Sequence, residues 1–203
     1  MNADDLTEAV RADQQTELSR LGSSKMLYAD TRGEMEPDAV TAAAAARERD
    51  AHETFDAWSA DTEGEAADIF ADAAAGAADR LDATDVAPAD REFAVYEILA
   101  DFDGSVERLG GFLGWTLVDK KVKEQLTGFF TGQADPQTAS TYRSAGSEIE
   151  ELRADAGDLL ETACETEADW EAAEAAAIAV VEAAYEEYFE TLEELGVNPK
   201  PVC

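Results

Sequence analysis

The sequence predicts an all-α protein built as a helical bundle. Apolar residues recur in steps of three and four along most of the 203 residues, which is the spacing of one face of an α-helix. Two eight-residue segments, 48–55 and 182–189, each begin with a glutamate and end with a phenylalanine. A further glutamate lies 31 residues before each segment, at Glu17 and Glu151. Paired helices with inward carboxylates are typical of four-helix bundles.

The charge balance is the most unusual feature of the composition. The chain carries 47 acidic residues against 15 lysines and arginines, which gives a net charge of −32 at pH 7. Acidic chains can be disordered, but the helical periodicity of this one predicts a folded domain. An acidic surface on a folded domain suits concentrated salt, which screens its self-repulsion. The composition resembles that of proteins from salt-accumulating halophilic archaea, so we expect a protein of such a cytoplasm.

The same charge excludes several classes of partner. A strongly acidic protein is repelled by nucleic acid and by anionic membranes. The chain has no apolar stretch of about 18 residues that would span a bilayer, and its N-terminus lacks a basic, apolar signal region. We therefore predict a cytoplasmic location, with no nucleic-acid partner and no membrane partner.

The first predicted hairpin covers residues 4–59. Its first helix spans about residues 4–30 and ends at Arg32-Gly33, and Pro37 suits the first turn of a second helix that runs to about Trp58. The inner face of this second helix is predicted to carry Val40, Ala44, Glu48, Ala51, Phe55 and Trp58.

A long central crossover with additional helices is predicted over residues 60–137. One helix is expected at about 63–82 and another at about 90–103. The segment 104–132 is less typical, because it combines six glycines and a dense apolar run with the lysines 120, 121 and 123. It has two interpretations: a contact surface for an acidic protein partner, including a second copy of this chain, or a core helix packed closely through its small residues.

The second predicted hairpin covers residues 138–196, with helices at about 138–164 and 167–195. The apolar stripe of the last helix contains Glu182 and Tyr185, and Gly196 suits its C-terminal cap. Residues 197–203 are predicted to leave as an extended tail ending in Cys203. Its thiol either links two chains, ligates a metal or is inert. We expect residues 1–203 to form a single helical domain.

Pairing the two hairpins resembles the ferritin-like superfamily, and its rubrerythrin branch in particular. The resemblance covers about residues 4–59 and 138–195. It implies a ferritin-like four-helix bundle in which one helix of each pair supplies a Glu and the other a Glu-x-x-His, directed at two metal ions. The glutamates that match these positions, as candidate ligands for iron or manganese, are Glu17, Glu48, Glu148 or Glu151, and Glu182.

The histidines of that pattern are missing. Ala51 and Tyr185 occupy their positions, and His52, the one histidine of the chain, comes one residue late. A shift of one residue turns a side chain by about 100° around a helix, which takes His52 off the inner face. Two hypotheses follow: the glutamates form a relic polar layer bonded to one another, to Tyr28 or Tyr185 or to water, or carboxylates alone hold the metals.

These patterns predict a non-catalytic relative of the ferritin-like proteins that acts as an interaction or structural protein, as a homodimer. No catalytic residue is predicted, since one histidine without a fitting nucleophile forms no triad. A first alternative is a carboxylate-rich di-iron or manganese protein in metal handling or in peroxide or oxygen chemistry. A second is a helical chaperone or adaptor that holds a client through residues 104–132.

Overall fold

The computed structural model describes residues 1–199, and all of the regular structure within them is α-helical, which confirms the predicted all-α class. The helices in chain order are α1 Ala3–Asp13, α2 Gln15–Leu21, α3 Lys25–Asp30, α4 Pro37–Ala60, α5 Glu65–Asp82, α6 Ala94–Ala100, α7 Ser105–Gly132, α8 Pro136–Ala163 and α9 Glu167–Glu194.

Helix α7 is the centre of the molecule. It makes its most extensive contacts with α8 and α9, while the contact of α8 with α9 is minor. Its apolar residues are buried on all sides between Leu109 and Val118, which a helix requires when neighbours surround it. The core-helix interpretation of this segment is therefore confirmed. Phe112 and Trp115, which are 0% and 2% exposed, do not form part of a contact surface.

Two glycines allow α7 to approach α9 closely. A Cβ atom at Gly110 would lie 2.6 Å from the Cα of Ala173, and one at Gly114 would lie 2.5 Å from the carbonyl oxygen of Ala177. Both pairs are four residues apart on their helices, so they form one small-residue seam along the contact. The backbones meet there because no side chain separates them.

The hairpin of α4 and α5 closes the core through aromatic side chains. Phe55 of α4 lies edge-on against Phe112 and Trp115 of α7, with ring centroids 5.0 and 4.6 Å apart. Trp58 and Phe70 extend the cluster at 5.0 Å. Edge-to-face aromatic pairs stabilise a core beyond their buried area by about 0.5–1.5 kcal/mol each.

The two hairpins predicted from sequence are not the pairings of the structure. Helix α4 packs mainly on α5 rather than on the helices before it, and α8 and α9 each pack mainly on α7. The crossover predicted over 60–137 thus contributes the central helix. A hydrophobic periodicity identifies a buried face but not the neighbour that buries it, which explains the error.

The helix predicted over 4–30 is divided into α1, α2 and α3. The chain breaks at Gln14, which leaves helical geometry with φ −96° and ψ 27°, and again between Gly22 and Ser24. The Gln14 side chain donates a hydrogen bond to Glu182 of α9, 3.4 Å away. The helix predicted over 90–103 is shorter than expected, since Phe93 is extended, with φ −120° and ψ 130°.

A buried arginine on α4, Arg47, joins this helix to α3 and to the segment that precedes α6. Arg47 donates two hydrogen bonds to Asp30, at 2.7 and 2.8 Å, and its guanidinium lies 4.0 Å from the ring centroid of Phe93. Burial disfavours its charge, but Asp30 outweighs burial and raises the pKa of Arg47. Arg91 adds bonds to the carbonyl of Ala29 and to Glu187 of α9, both at 2.6 Å.

No helix in the described part of the chain has the length and apolar character to cross a bilayer. Of the predicted C-terminal tail, residues 197–199 follow α9 without regular structure. The prediction for Cys203 lies outside the described residues.

Candidate functional site

Glu48 lies in a buried cluster of charged side chains, which we call the Glu48 cluster: Glu48, Arg80, Asp119, Lys123 and Glu148. Helix α4 directs Glu48 inward, where the side chain is 6% exposed, as the sequence predicts. Lys123 of α7, 2% exposed, donates from Nζ to Glu48 Oε1 at 2.5 Å and to Asp119 Oδ1 at 3.2 Å. An ammonium group thus sits between two carboxylates in the interior.

Arg80 of α5 occupies the second oxygen of Glu48. Its Nε donates to Glu48 Oε2 at 3.0 Å, and its Nη1 donates to Glu148 Oε2 of α8 at 3.0 Å. The guanidinium therefore bridges a buried carboxylate to one whose side chain is 55% exposed. Both oxygens of Glu48 accept from cations of the protein itself.

The cations keep Glu48 ionised. Burial disfavours its negative charge, but Lys123 and then Arg80 outweigh burial, so the pKa of Glu48 lies below its ordinary value. Burial also disfavours the charge of Arg80, yet Glu48 and Asp119 raise the pKa of that guanidinium. Burial and the charge of Glu48 raise the pKa of nearby Tyr142. Glu48 and Arg80 therefore form an ionised pair at neutral pH.

A cavity of about 240 Å³ adjoins the cluster between α4, α5 and the start of α8. Its lining includes Glu48, Arg80, Tyr142, Thr138 and Thr141. One oxygen of Asp119, Oδ2, is buried without a hydrogen-bond partner in the described structure. The ion pairs of the cluster link four helices, α4, α5, α7 and α8. No nucleophile with an adjacent free base is part of the cluster.

The other predicted ligands lie elsewhere. Glu17 and Glu182 line a separate groove between α2 and α9, of about 630 Å³, in which Glu182 is exposed and accepts the bond from Gln14. Glu151 is exposed on α8, so Glu148 is the residue of that pair that reaches the cluster. Within residues 1–199 there is no group of three or more His, Cys, Asp or Glu side chains that could hold a metal ion.

Ala51 and Tyr185 stand where the ferritin-like pattern has histidine, and each has a different environment. Ala51 is buried, and Tyr185 accepts a hydrogen bond from Arg20. His52 is half-buried on α4, with Nδ1 3.2 Å from the carbonyl oxygen of Ala74 on α5. The five candidate glutamates therefore do not fit a ferritin-like di-metal centre. Four of them divide between two sites, Glu151 lies in neither, and protein cations hold both oxygens of Glu48.

The partners of Glu48 were not predicted from the sequence: Arg80, Asp119 and Lys123. A signal for two of them was present in α7, where the buried stripe steps by three or four residues through Phe112, Trp115, Asp119, Val122, Leu126 and Phe130, with Lys123 beside Val122. Asp119 and Lys123 are four residues apart on this apolar face, which predicts a buried ion pair. Nothing local to Arg80 identifies it.

Comparisons with protein-family models, with curated proteins and with solved structures found no match to this chain. The resemblance to the ferritin-like superfamily therefore rests on the sequence pattern alone.

Proposed function

We propose that this protein is a non-catalytic helical protein with a structural or interaction role, whose internal carboxylates are neutralised by its own lysine and arginine. The observation that carries the proposal is the position of Lys123 Nζ, 2.5 Å from Glu48 and 3.2 Å from Asp119. This ammonium provides the positive charge that a metal ion provides in a carboxylate-bridged site.

A metal ion at Glu48 would have to break existing ion pairs. It would meet the Lys123 ammonium and the Arg80 guanidinium, which lie 2.5 and 3.0 Å from the two oxygens. Like charges at such separations repel strongly in a buried site. Displacing the cations would also leave them without counter-charges in the interior, which is costly.

We further propose that the cluster descends from a carboxylate site of a ferritin-like ancestor. In support, Glu48 and Glu148 come from two of the helices that the resemblance assigns to metal ligation, and Arg80 joins them. In such a lineage Lys123 and Arg80 replaced the metal. The homodimer predicted from sequence stays a prediction.

Metal analysis tests the non-catalytic role. Protein purified in concentrated KCl, without chelators or a histidine tag, is expected to contain no stoichiometric iron or manganese by mass spectrometry. Glu48→Gln is expected to leave the metal content unchanged, as is Glu151→Gln, the exposed control on α8. About two equivalents of metal per chain, lost in Glu48→Gln and retained in Glu151→Gln, would overturn the proposal.

We also propose that the acidic surface serves a cytoplasm rich in salt. The midpoint of thermal unfolding is expected to rise between about 0.1 M and about 1 M KCl, because the Debye length falls from about 10 Å to about 3 Å and the repulsion within a net charge of −32 is screened. The ion pairs of Glu48 and Arg47 are buried, so added salt weakens their attraction less than it weakens the repulsion between surface charges. Scanning calorimetry across the KCl series measures the midpoint of thermal unfolding, with sucrose of equal osmolality as the control. A midpoint that falls as KCl rises would contradict the proposal.

A further inference from the structure

Four basic side chains line one groove of this acidic protein. We call it the basic groove: Arg11 of α1, Lys120 and Lys121 of α7, and Arg153 of α8, around a cavity of about 500 Å³. Two carboxylates, Glu124 and Glu150, share its lining. The groove therefore has an excess of positive charge, although the chain as a whole carries −32.

Neither arginine of the groove donates a hydrogen bond to a carboxylate of the described residues. Arg11 has neither an ion pair nor a hydrogen bond among the described residues. Arg153 comes no closer than 3.9 Å to Glu150, beyond hydrogen-bond distance. Its partner Glu150 is shared with Lys120, whose Nζ lies 3.1 Å from the other carboxylate oxygen. Glu150 thus pairs with two cations, Lys120 and Arg153. Arg11 lines the same groove without a carboxylate partner among the described residues.

The positive charge of Arg11 acts on Arg153. Burial comes first and the charge of Arg11 second among the causes that lower the pKa of Arg153, and Glu150 compensates only in part. An anion between the two guanidinium groups would remove this repulsion. Guanidinium groups bind phosphate oxygens through paired hydrogen bonds of fixed geometry, which makes arginine suited to this ligand.

The groove has the form of a small-molecule site. Its residues come from α1, α2, α7 and α8, so packed helices rather than a loop fix their positions. Leu18 and Leu117 give it an apolar wall. Gly22 leaves room for the stem of Lys121, since a Cβ atom there would lie 3.2 Å from the Lys121 Cδ atom. Pockets of this size, with apolar walls and a few convergent charges, are typical of small-ligand sites.

We propose that the basic groove binds a small phosphate-bearing anion, held between Arg11 and Arg153 with Lys120 and Lys121 at its other side. The sequence pattern singled out Lys120 and Lys121 but not this site, because Arg11 lies 109 residues before Lys120 and Arg153 lies 32 residues after Lys121. The ligand is expected to be small, since the −32 charge of the remaining surface repels an extended polyanion.

Isothermal titration calorimetry with inorganic pyrophosphate tests the site in the full chain. We expect saturable binding of one pyrophosphate per chain, weakened roughly tenfold or more by Arg11→Gln and by Arg153→Gln, as for loss of a charge-assisted hydrogen bond. Arg32→Gln is the matched control, since Arg32 is 59% exposed and, within residues 1–199, pairs only with exposed Glu194. Its affinity is expected to stay within about twofold of the wild type. Circular dichroism verifies that each variant is folded.

Three results would overturn the proposal. The first is absence of saturable binding. The second is an equal loss of affinity in Arg32→Gln, which would indicate attraction by charge alone. The third is a dimer by light scattering that Arg11→Gln dissociates and that pyrophosphate does not affect. That outcome would assign the groove to an acidic segment of a second chain.

Discussion

Lys123→Met is expected to lower the free energy of unfolding by about 3–5 kcal/mol at neutral pH, the usual loss when one partner of a buried ion pair is removed. Methionine has a similar length, so packing changes little. In this variant Glu48 pairs with Arg80 alone. Asp119 Oδ1 loses its one described side-chain donor, and Asp119 Oδ2 already lacks a hydrogen-bond partner in the described structure. Equilibrium denaturation by urea, followed by circular dichroism in KCl, measures the loss.

Lys121→Met is the control, because Lys121 lies two residues earlier on α7, is 37% exposed and pairs with exposed Glu124. Its effect is expected to stay within about 0.5 kcal/mol. Equal losses in the two variants would show that the Glu48 cluster is not a buried ion-pair network in solution.

The dependence of this loss on pH identifies its electrostatic origin. The pKa of Glu48 is depressed in the folded protein, so its contribution is present above its ordinary value of 4.5 and is lost as the pH falls through the folded value. Without Lys123, burial is opposed by Arg80 alone, and the pKa of Glu48 rises. The difference between the wild type and Lys123→Met should therefore shrink below about pH 4.5. A difference independent of pH would mean that packing, and not charge, was lost.

Gly110→Ala is expected to destabilise the protein by about 1–3 kcal/mol, in spite of the higher helix propensity of alanine. The added Cβ would lie 2.6 Å from the Cα of Ala173, a backbone atom that cannot move without shifting α9. Gly128→Ala in the same helix is the matched control, since nothing lies within 4 Å of the added atom and the site is exposed.

The control variant, Gly128→Ala, is expected to be more stable than the wild type by about 0.5–1 kcal/mol, because alanine loses less conformational freedom than glycine on folding. The same chemical change in one helix thus has opposite signs at two positions. Thermal and urea denaturation of both variants measure this. A Gly110→Ala protein as stable as the wild type would contradict the close contact of α7 with α9.

The positions of most helices follow from the sequence because helix formation has local causes. The helices expected at about 63–82, 138–164 and 167–195 are observed at 65–82, 136–163 and 167–194. Thr166 and Asp169 form a capping box that begins the last of them, and a proline lies in the first turn of α8. The break at Gln14 was missed, since the apolar spacing runs through it without interruption.

For the candidate site, the sequence determined that Glu48 faces the interior, because the buried face of α4 is set by the spacing of its own apolar residues. It left open whether a metal or the protein satisfies that charge. Only the tertiary structure showed that Arg80 and Lys123 bond to Glu48, since they are 32 and 75 residues distant in the chain and reach it through the packing of α5 and α7. A buried carboxylate requires a positive charge nearby, but its local sequence carries no information on whether that charge is a metal ion, a guanidinium or an ammonium group.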